Sequence, residues 1–168
     1  EMMIEVGTIV VATGFDVYEP TDMKELGYGA YPNVITALQL ERLINASGPT
    51  EGKILRPSDK RKPESVTFIQ CVGSRDVDRN IYCSGFCCMY TLKNAILLKE
   101  HWEDTKIDVL YTDIRSNFKG YEEFYNRAKS MGINFTRVQL TDRSIDEDPA
   151  TKNLTVHAKT ENGEPVSV

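Results

Sequence analysis

All four cysteines of this chain, Cys71, Cys83, Cys87 and Cys88, fall within eighteen of its 168 residues, spaced C-x11-C-x3-C-C. Thiolates gather in this way when they share a metal or a redox centre, because the thiolate is both the metal ligand and the nucleophile. Cys71 follows Ser65–Gln70, which reads as a buried strand, and the other three cysteines precede or open a helical pattern at Met89–His101. In an open α/β sheet, ligands bind beyond the carboxyl ends of strands and close to helix N-termini. The partial positive charge there lowers thiol pKa values and favours an anionic centre. Three thiolates near in sequence and one from the preceding strand can close around a single four-thiolate centre. Iron–sulfur clusters and zinc both accept such a set. The adjacent pair Cys87-Cys88 departs from the C-x2-C knuckles of a zinc ribbon. That places an iron–sulfur cluster first, a redox dithiol second and zinc third, with inert buried thiols as the bland reading.

The same segment, Cys71-Val72-Gly73-Ser74-Arg75-Asp76, stands where a strand–turn–helix unit would carry a dinucleotide fingerprint. It has one glycine rather than G-x-G-x-x-G, which argues against nicotinamide binding by this unit. Asp113, at the end of the next apolar run, could imitate a ribose-binding acid, but an ion pair with Arg115 is the more ordinary role. Ala12-Thr13-Gly14 reads as a strand end with a glycine turn, although in two-dinucleotide flavoproteins such a segment lies against the flavin nucleotide. Lys93 sits beyond Cys88 on the same helical pattern, where a lysine is ordinarily solvated but could present a cation toward whatever the helix start faces. Tyr82 and Tyr90 flank the cysteines and read as packing. His101 and His157 show no ligand spacing, and Glu122-Glu123 reads as a solvated helix face.

Around these residues the chain alternates between the periods of strand and helix. Ile4–Ala12 is rich in β-branched residues and is expected to form a strand. Phe15–Asn33 reads as a long surface connection, Thr36–Ala46 as a short amphipathic helix, and Thr50–Glu64 as a polar, proline-containing linker. Then follow strand Ser65–Gln70, helix Met89–His101, strand Ile107–Ile114, helix Tyr121–Met131 and strand Ile133–Val138. That order is the signature of a Rossmann-like parallel sheet flanked by helices, an α/β fold. A further strand, Leu154–Lys159, and the Asn162-Gly163 turn signal a C-terminal β-hairpin.

Composition sets bounds on the partners. Hydrophobic residues make up 40% and charged residues 27%, ordinary values for a globular domain. A formal net charge of −5 argues against a nucleic-acid partner. No apolar run approaches the roughly 20 residues of a membrane helix, so direct membrane insertion is not expected. Clustered rather than dispersed cysteines favour a reducing, cytoplasmic compartment. A strand beginning almost at the first residue, and another stopping at the last, suggest a segment of a larger polypeptide.

Three stretches together resemble the A-type subunits of heterodisulfide reductase and the related flavoprotein subunits of the quinone-interacting membrane-bound oxidoreductase complex. They are Val11-Ala12-Thr13-Gly14-Phe15-Asp16, Phe68-Ile69-Gln70-Cys71-Val72-Gly73-Ser74-Arg75-Asp76, and Tyr82-Cys83-Ser84 with Cys87-Cys88-Met89-Tyr90-Thr91-Leu92-Lys93-Asn94-Ala95. Tyr111–Arg115 and Gly120–Tyr125 extend the likeness over most of the chain. Members of that family have a thioredoxin-reductase-like FAD core and several 4Fe–4S clusters, and carry electrons between partner subunits. The resemblance implies that Cys71, Cys83, Cys87 and Cys88 ligate one 4Fe–4S cluster near the flavin. It implies also that Lys93 approaches the isoalloxazine and that Ala12, Thr13 and Gly14 line the FAD site. Residues 1–64 are then the end of the FAD-binding domain with a connecting segment, and residues 65–168 a pseudo-nicotinamide domain. The implied partners are the other subunits of an electron-transfer complex, with a homodimer also compatible. The chain departs from the family pattern at Gly85-Phe86, where an arginine and an aliphatic residue are expected. It also lacks the Gly-rich FAD fingerprint and the ferredoxin cysteine motifs, so an isolated chain of this sequence is expected to be inactive. The enzymatic alternative is a pyridine-nucleotide-disulfide oxidoreductase domain, and the non-enzymatic one a zinc-stabilised docking module.

Overall fold

The computed structural model describes residues 2–168. Its centre is a parallel three-stranded sheet of β1 (Ser65–Ile69), β2 (Lys106–Tyr111) and β3 (Asn134–Arg137), in that spatial order. Ile69 of β1 lies opposite Leu110 of β2, and Tyr111 opposite Arg137 of β3. Parallel neighbours cannot be joined by a tight turn and need crossovers. These crossovers are helices α2 (Cys87–His101) and α3 (Tyr121–Ser130).

The alternation of side chains along β2 divides the interior in two. Ile107 and Val109 face a core built with Leu92, Ala95, Ile96 and Leu98 of α2 and Ala128 of α3. Leu110 turns to the other face, against Val138, Ile145, Val156 and Ala158. That second layer is an antiparallel sheet of β4 (Ser144–Glu147), β5 (Leu154–Lys159) and β6 (Pro165–Ser167). The chain thus stacks helices, parallel sheet and antiparallel sheet, each burying one apolar face.

Helix α1 (Ala37–Ile44) packs Leu40 into the first core. It begins at Thr36 with a capping box: Thr36 Oγ1 accepts from the Gln39 amide at 3.3 Å and Gln39 Oε1 accepts from the Thr36 amide at 2.7 Å. Helix α2 buries Cys88, Thr91, Leu92, Asn94, Ala95, Ile96 and Leu98, more than one face of a helix. It is covered by the sheet, α1 and α3 together.

Three sequence expectations change. Ile4–Ala12 is not a strand; it runs exposed and unpaired, because a strand needs a neighbour to complete its ladder and none lies beside it among the described residues. The predicted Ala-Thr-Gly strand end at residues 12–14 therefore closes no sheet. The connection over residues 15–33 buries Met23 and Leu26 around a 3₁₀ turn at Lys24–Leu26 instead of lying wholly on the surface. Strand β4 goes unpredicted by the sequence pattern, so the expected C-terminal hairpin of β5 and β6 is two-thirds of a three-stranded sheet.

Candidate metal centre

The carboxyl end of β1 delivers Cys71 into a closed loop. The Gln70 amide still donates to Leu110 O at 3.0 Å, holding the chain in register to the last residue before the cysteine. Cys71 (φ 55°), Gly73 (φ 65°) and Arg75 (φ 60°) then adopt left-handed backbone, an outlying conformation for the two that are not glycine. The loop is tied across its base. Asn80 Nδ2 donates to Gly73 O and Ser74 Oγ to Tyr82 O, both at 2.8 Å, while the Arg75 amide donates to the same Tyr82 carbonyl. This tie returns the chain to Cys83 beside its starting point.

Cys83 accepts from the Gly85 amide at 3.4 Å. Phe86 then precedes α2 without any side-chain cap, so the helix opens directly with Cys87 and Cys88. Cys88 Sγ donates to Asp113 O at 3.7 Å, tying the helix start to the end of β2. All four cysteines are free thiols, with Cys71 and Cys88 buried and Cys83 and Cys87 half-buried.

Their protonation shows how closely the four are grouped. The neighbouring Cys88 thiol, then the Ser84 hydroxyl and the helix-start amides, pull Cys87 down to about 6. The same Cys87 contact and burial push Cys88 up. Burial raises Cys71, with the charges of Cys87 and Cys83 adding to it and those of Arg75 and Arg143 opposing it. Each cysteine is felt by at least one other, across the 71–83, 71–87, 71–88 and 87–88 pairs. Among the described residues, however, no three His, Cys, Asp or Glu side chains converge tightly enough to hold a single metal ion.

Three arginines surround the thiols; the sequence pattern offered Arg115 only as an ion-pair partner for Asp113 and assigned no role to Arg75 or Arg143. Arg115 grips Asp113 at 2.8 and 3.0 Å, and Arg75 Nη1 lies 3.1 Å from the same carboxylate. Asp113 therefore serves as an ion-pair partner, in line with its ordinary reading. Arg143 comes from the segment before β4 and donates from Nη1 to Gln70 O at 2.6 Å. Arg75 and Arg115 could have been found from their places at strand ends; Arg143, 73 residues from Gln70, has no local signal.

The other site residues fall around this centre in different ways. Ala12, Thr13 and Gly14 are exposed, but the residues after them are anchored at the cysteine loop. Phe15 packs edge-on against Phe86 at 5.1 Å, Phe86 meets Tyr90 at 5.7 Å, and the Tyr18 ring lies over Gly73. Lys93 lies farther along α2, half exposed, and ion-pairs with Glu41 of α1. Tyr90 packs as expected, whereas Tyr82 is exposed and contributes its carbonyl. His101 stacks on Trp102, and His157 bonds to Asp146 and Ser167 across the antiparallel sheet.

No helix among the described residues is long and apolar enough to cross a membrane. No family model matches the chain. Curated relatives do. The chain is 55% identical over 157 residues to the second A-type iron–sulfur subunit of the CoB–CoM heterodisulfide reductase of Methanopyrus kandleri, covering 92% of this chain and 24% of that protein. It is 58% identical over 139 residues to the A-type subunit of the H(2):CoB-CoM heterodisulfide,ferredoxin reductase of Methanothermobacter marburgensis, covering 82% and 21%. It is 46% identical over 149 residues to the A-type subunit of the ferredoxin/F(420)H(2)-dependent CoB-CoM heterodisulfide reductase of Methanosarcina acetivorans, covering 88% and 19%. The chain spans about a fifth to a quarter of the length of these relatives. With its cysteine motif and α/β architecture, it belongs to the family of heterodisulfide reductase A-type subunits, matching one stretch of that family's much longer members.

Proposed function

We propose that Cys71, Cys83, Cys87 and Cys88 hold one 4Fe–4S cluster, and that the chain carries electrons between FAD and the clusters of partner subunits within a heterodisulfide reductase. The observation that carries this reading is the gathering of four free thiols, two buried and two half-buried, where a tied loop returns the chain from a strand end to an uncapped helix start. The donor set fits the group: thiolates are the ligands of iron–sulfur clusters. A multi-iron cluster also spreads its ligands over separate metal atoms. When bound, the cluster supplies one-electron transfer. The chain's own part is to hold the thiolates, to place helix-start amides beside Cys87, and to limit water at the buried Cys71 and Cys88.

The finer assignments follow the same reading. Residues 65–168 form the pseudo-nicotinamide unit in which the cysteine loop stands in place of a phosphate loop, and residues 1–64 lead in from an FAD-binding domain. Ala12, Thr13, Gly14 and Lys93 are contributors to a flavin site that the rest of a longer protein completes. The Lys93–Glu41 pair must open, or keep its exposed side toward the flavin, for Lys93 to act there. The working compartment is the cytoplasm, and activity belongs to the whole complex.

A redox dithiol made of Cys87 and Cys88 is less well served. Cα atoms of adjacent residues lie about 3.8 Å apart, closer than the roughly 4.4–6.8 Å that disulfides span, and Cys87 and Cys88 share one helix.

Anaerobic reconstitution tests the cluster. About four irons and four sulfides per chain are expected, falling sharply in Cys87→Ser. Iron uptake that survives loss of Cys71, Cys83 or Cys88 overturns the ligand set, and zinc without sulfide overturns the cluster.

A further inference from the structure

We propose that Arg143 is an electrostatic positioning residue of the cysteine centre, whose buried and uncompensated guanidinium favours the reduced form of a cluster on Cys71, Cys83, Cys87 and Cys88. This rests on the cluster reading given above. Arg143 is 6% exposed, and a buried guanidinium is costly unless a counter-charge and hydrogen-bond acceptors meet it. Its single hydrogen bond among the described residues runs from Nη1 to Gln70 O, and its Nε has no partner. The neighbouring Gln70 Nε2 is equally buried and unpartnered.

The other arginines of the site differ. Arg75 and Arg115 share Asp113, and Arg79 is held by Asp22 and Asp76, each at 2.7 Å. Among the described residues, the charges that act on Arg143 are those of Cys71, then Asp76 and Glu25. Asp76 is already engaged by Arg79, and Glu25 is exposed. Among the described residues no carboxylate comes within ion-pairing distance of Arg143.

The missing counter-charge and the spare donors have one common solution. An anionic, sulfur-rich centre on Cys71 answers the guanidinium in a low-dielectric setting. Its thiolate and sulfide atoms accept hydrogen bonds from N–H groups. Reduction of a cluster adds one electron, breaks no bond and increases its negative charge. A fixed cation beside Cys71 therefore favours the reduced state and raises the potential, one of the levers by which proteins set cluster potentials.

The test uses this chain reconstituted anaerobically with iron and sulfide, as wild type, Arg143→Lys, Arg143→Gln and Arg143→Met. Iron and sulfide are counted, and the midpoint is read by dithionite titration followed by electron paramagnetic resonance. The glutamine and methionine variants are expected to keep their iron while the reduction equilibrium falls at least tenfold, about 59 mV for a one-electron couple. Lysine is expected to retain most of the wild-type potential. Should the methionine variant unfold, glutamine, which keeps a donor and removes the charge, decides the outcome. Iron lost from the neutral variants but kept by lysine also supports the charge pairing; iron lost from all three overturns it. Fully loaded neutral variants with wild-type potential overturn the proposal alone, whereas a wild-type chain that takes up no iron or sulfide overturns the cluster reading with it.

Discussion

Gly73 lies beneath the Tyr18 ring, where an added Cβ would stand 2.3 Å from ring Cε1 at a φ of 65°. Gly73→Ala is therefore expected to cost roughly 2–4 kcal/mol in urea unfolding, from left-handed backbone and overpacking together. In the Tyr18→Ala background the packing part should vanish, leaving about 1 kcal/mol. Equal stability of Gly73→Ala and wild type would sink the argument. Nearby, Arg79 clasps Asp22 and Asp76. Hydrogen bonds from Tyr18 and then Arg79 hold Asp22 below the usual carboxylate range, and the Asp78 amide and then Arg79 do so for Asp76. Because both folded values are depressed, their contribution is present above the unfolded carboxylate pKa of about 3.9 and is lost as pH falls through the folded ones. The melting-temperature gap between wild type and Arg79→Met should accordingly be open at neutral pH and close below about pH 4. A gap that persists into strong acid contradicts the clasp.

At the scale of elements, α2 joins the two demands of the molecule, a thiol-bearing start and a buried body. Asn94 is fully buried on it, with neither amide atom partnered. An unsatisfied buried amide is destabilising, and an apolar group of like shape removes the penalty. Asn94→Leu should thus stabilise the metal-free chain by about 1 kcal/mol; a loss instead would mean that the amide has a partner. Thr36→Ala removes one half of the capping box and should cost about 1 kcal/mol, read as a fall in thermal stability. The central elements were legible from local pattern: β1 and β2 as short, largely apolar runs, β3 from Ile133, Phe135 and Val138, and α3 as a period of 3.6. Strand β4 was not. Ser144-Ile145-Asp146-Glu147 offers one inward apolar residue, Ile145, and its identity as a strand comes from pairing with β5.

For the molecule as a whole, the apolar stretch ahead of Phe15 stands out. Met3, Ile4, Ile9, Val10 and Val11 are all exposed, whereas Phe15 and Tyr18 anchor the chain that follows them. Truncation ahead of Phe15 should leave the melting temperature unchanged, because those residues add nothing to either core. It should also reduce self-association in light scattering, since unpaired β-branched segments are templates for pairing. A drop of several degrees on truncation would show that they pack after all.

The gathering of the four cysteines was readable from the chain alone because its parts are adjacent in sequence: a strand end, a short loop and a helix start bring their own thiols. The same locality made the α/β alternation visible. Tertiary structure decided what depends on distant partners. Ile4–Ala12 has strand composition but no neighbour to pair with, and β4 has the neighbour without the composition. Lys93 answers to Glu41 of another helix. Arg143 reaches the cysteine loop from the far side of the fold, and a spacing of 73 residues to Gln70 carries no periodic signal. Charge acts through space rather than along the chain, so only the folded molecule could reveal it.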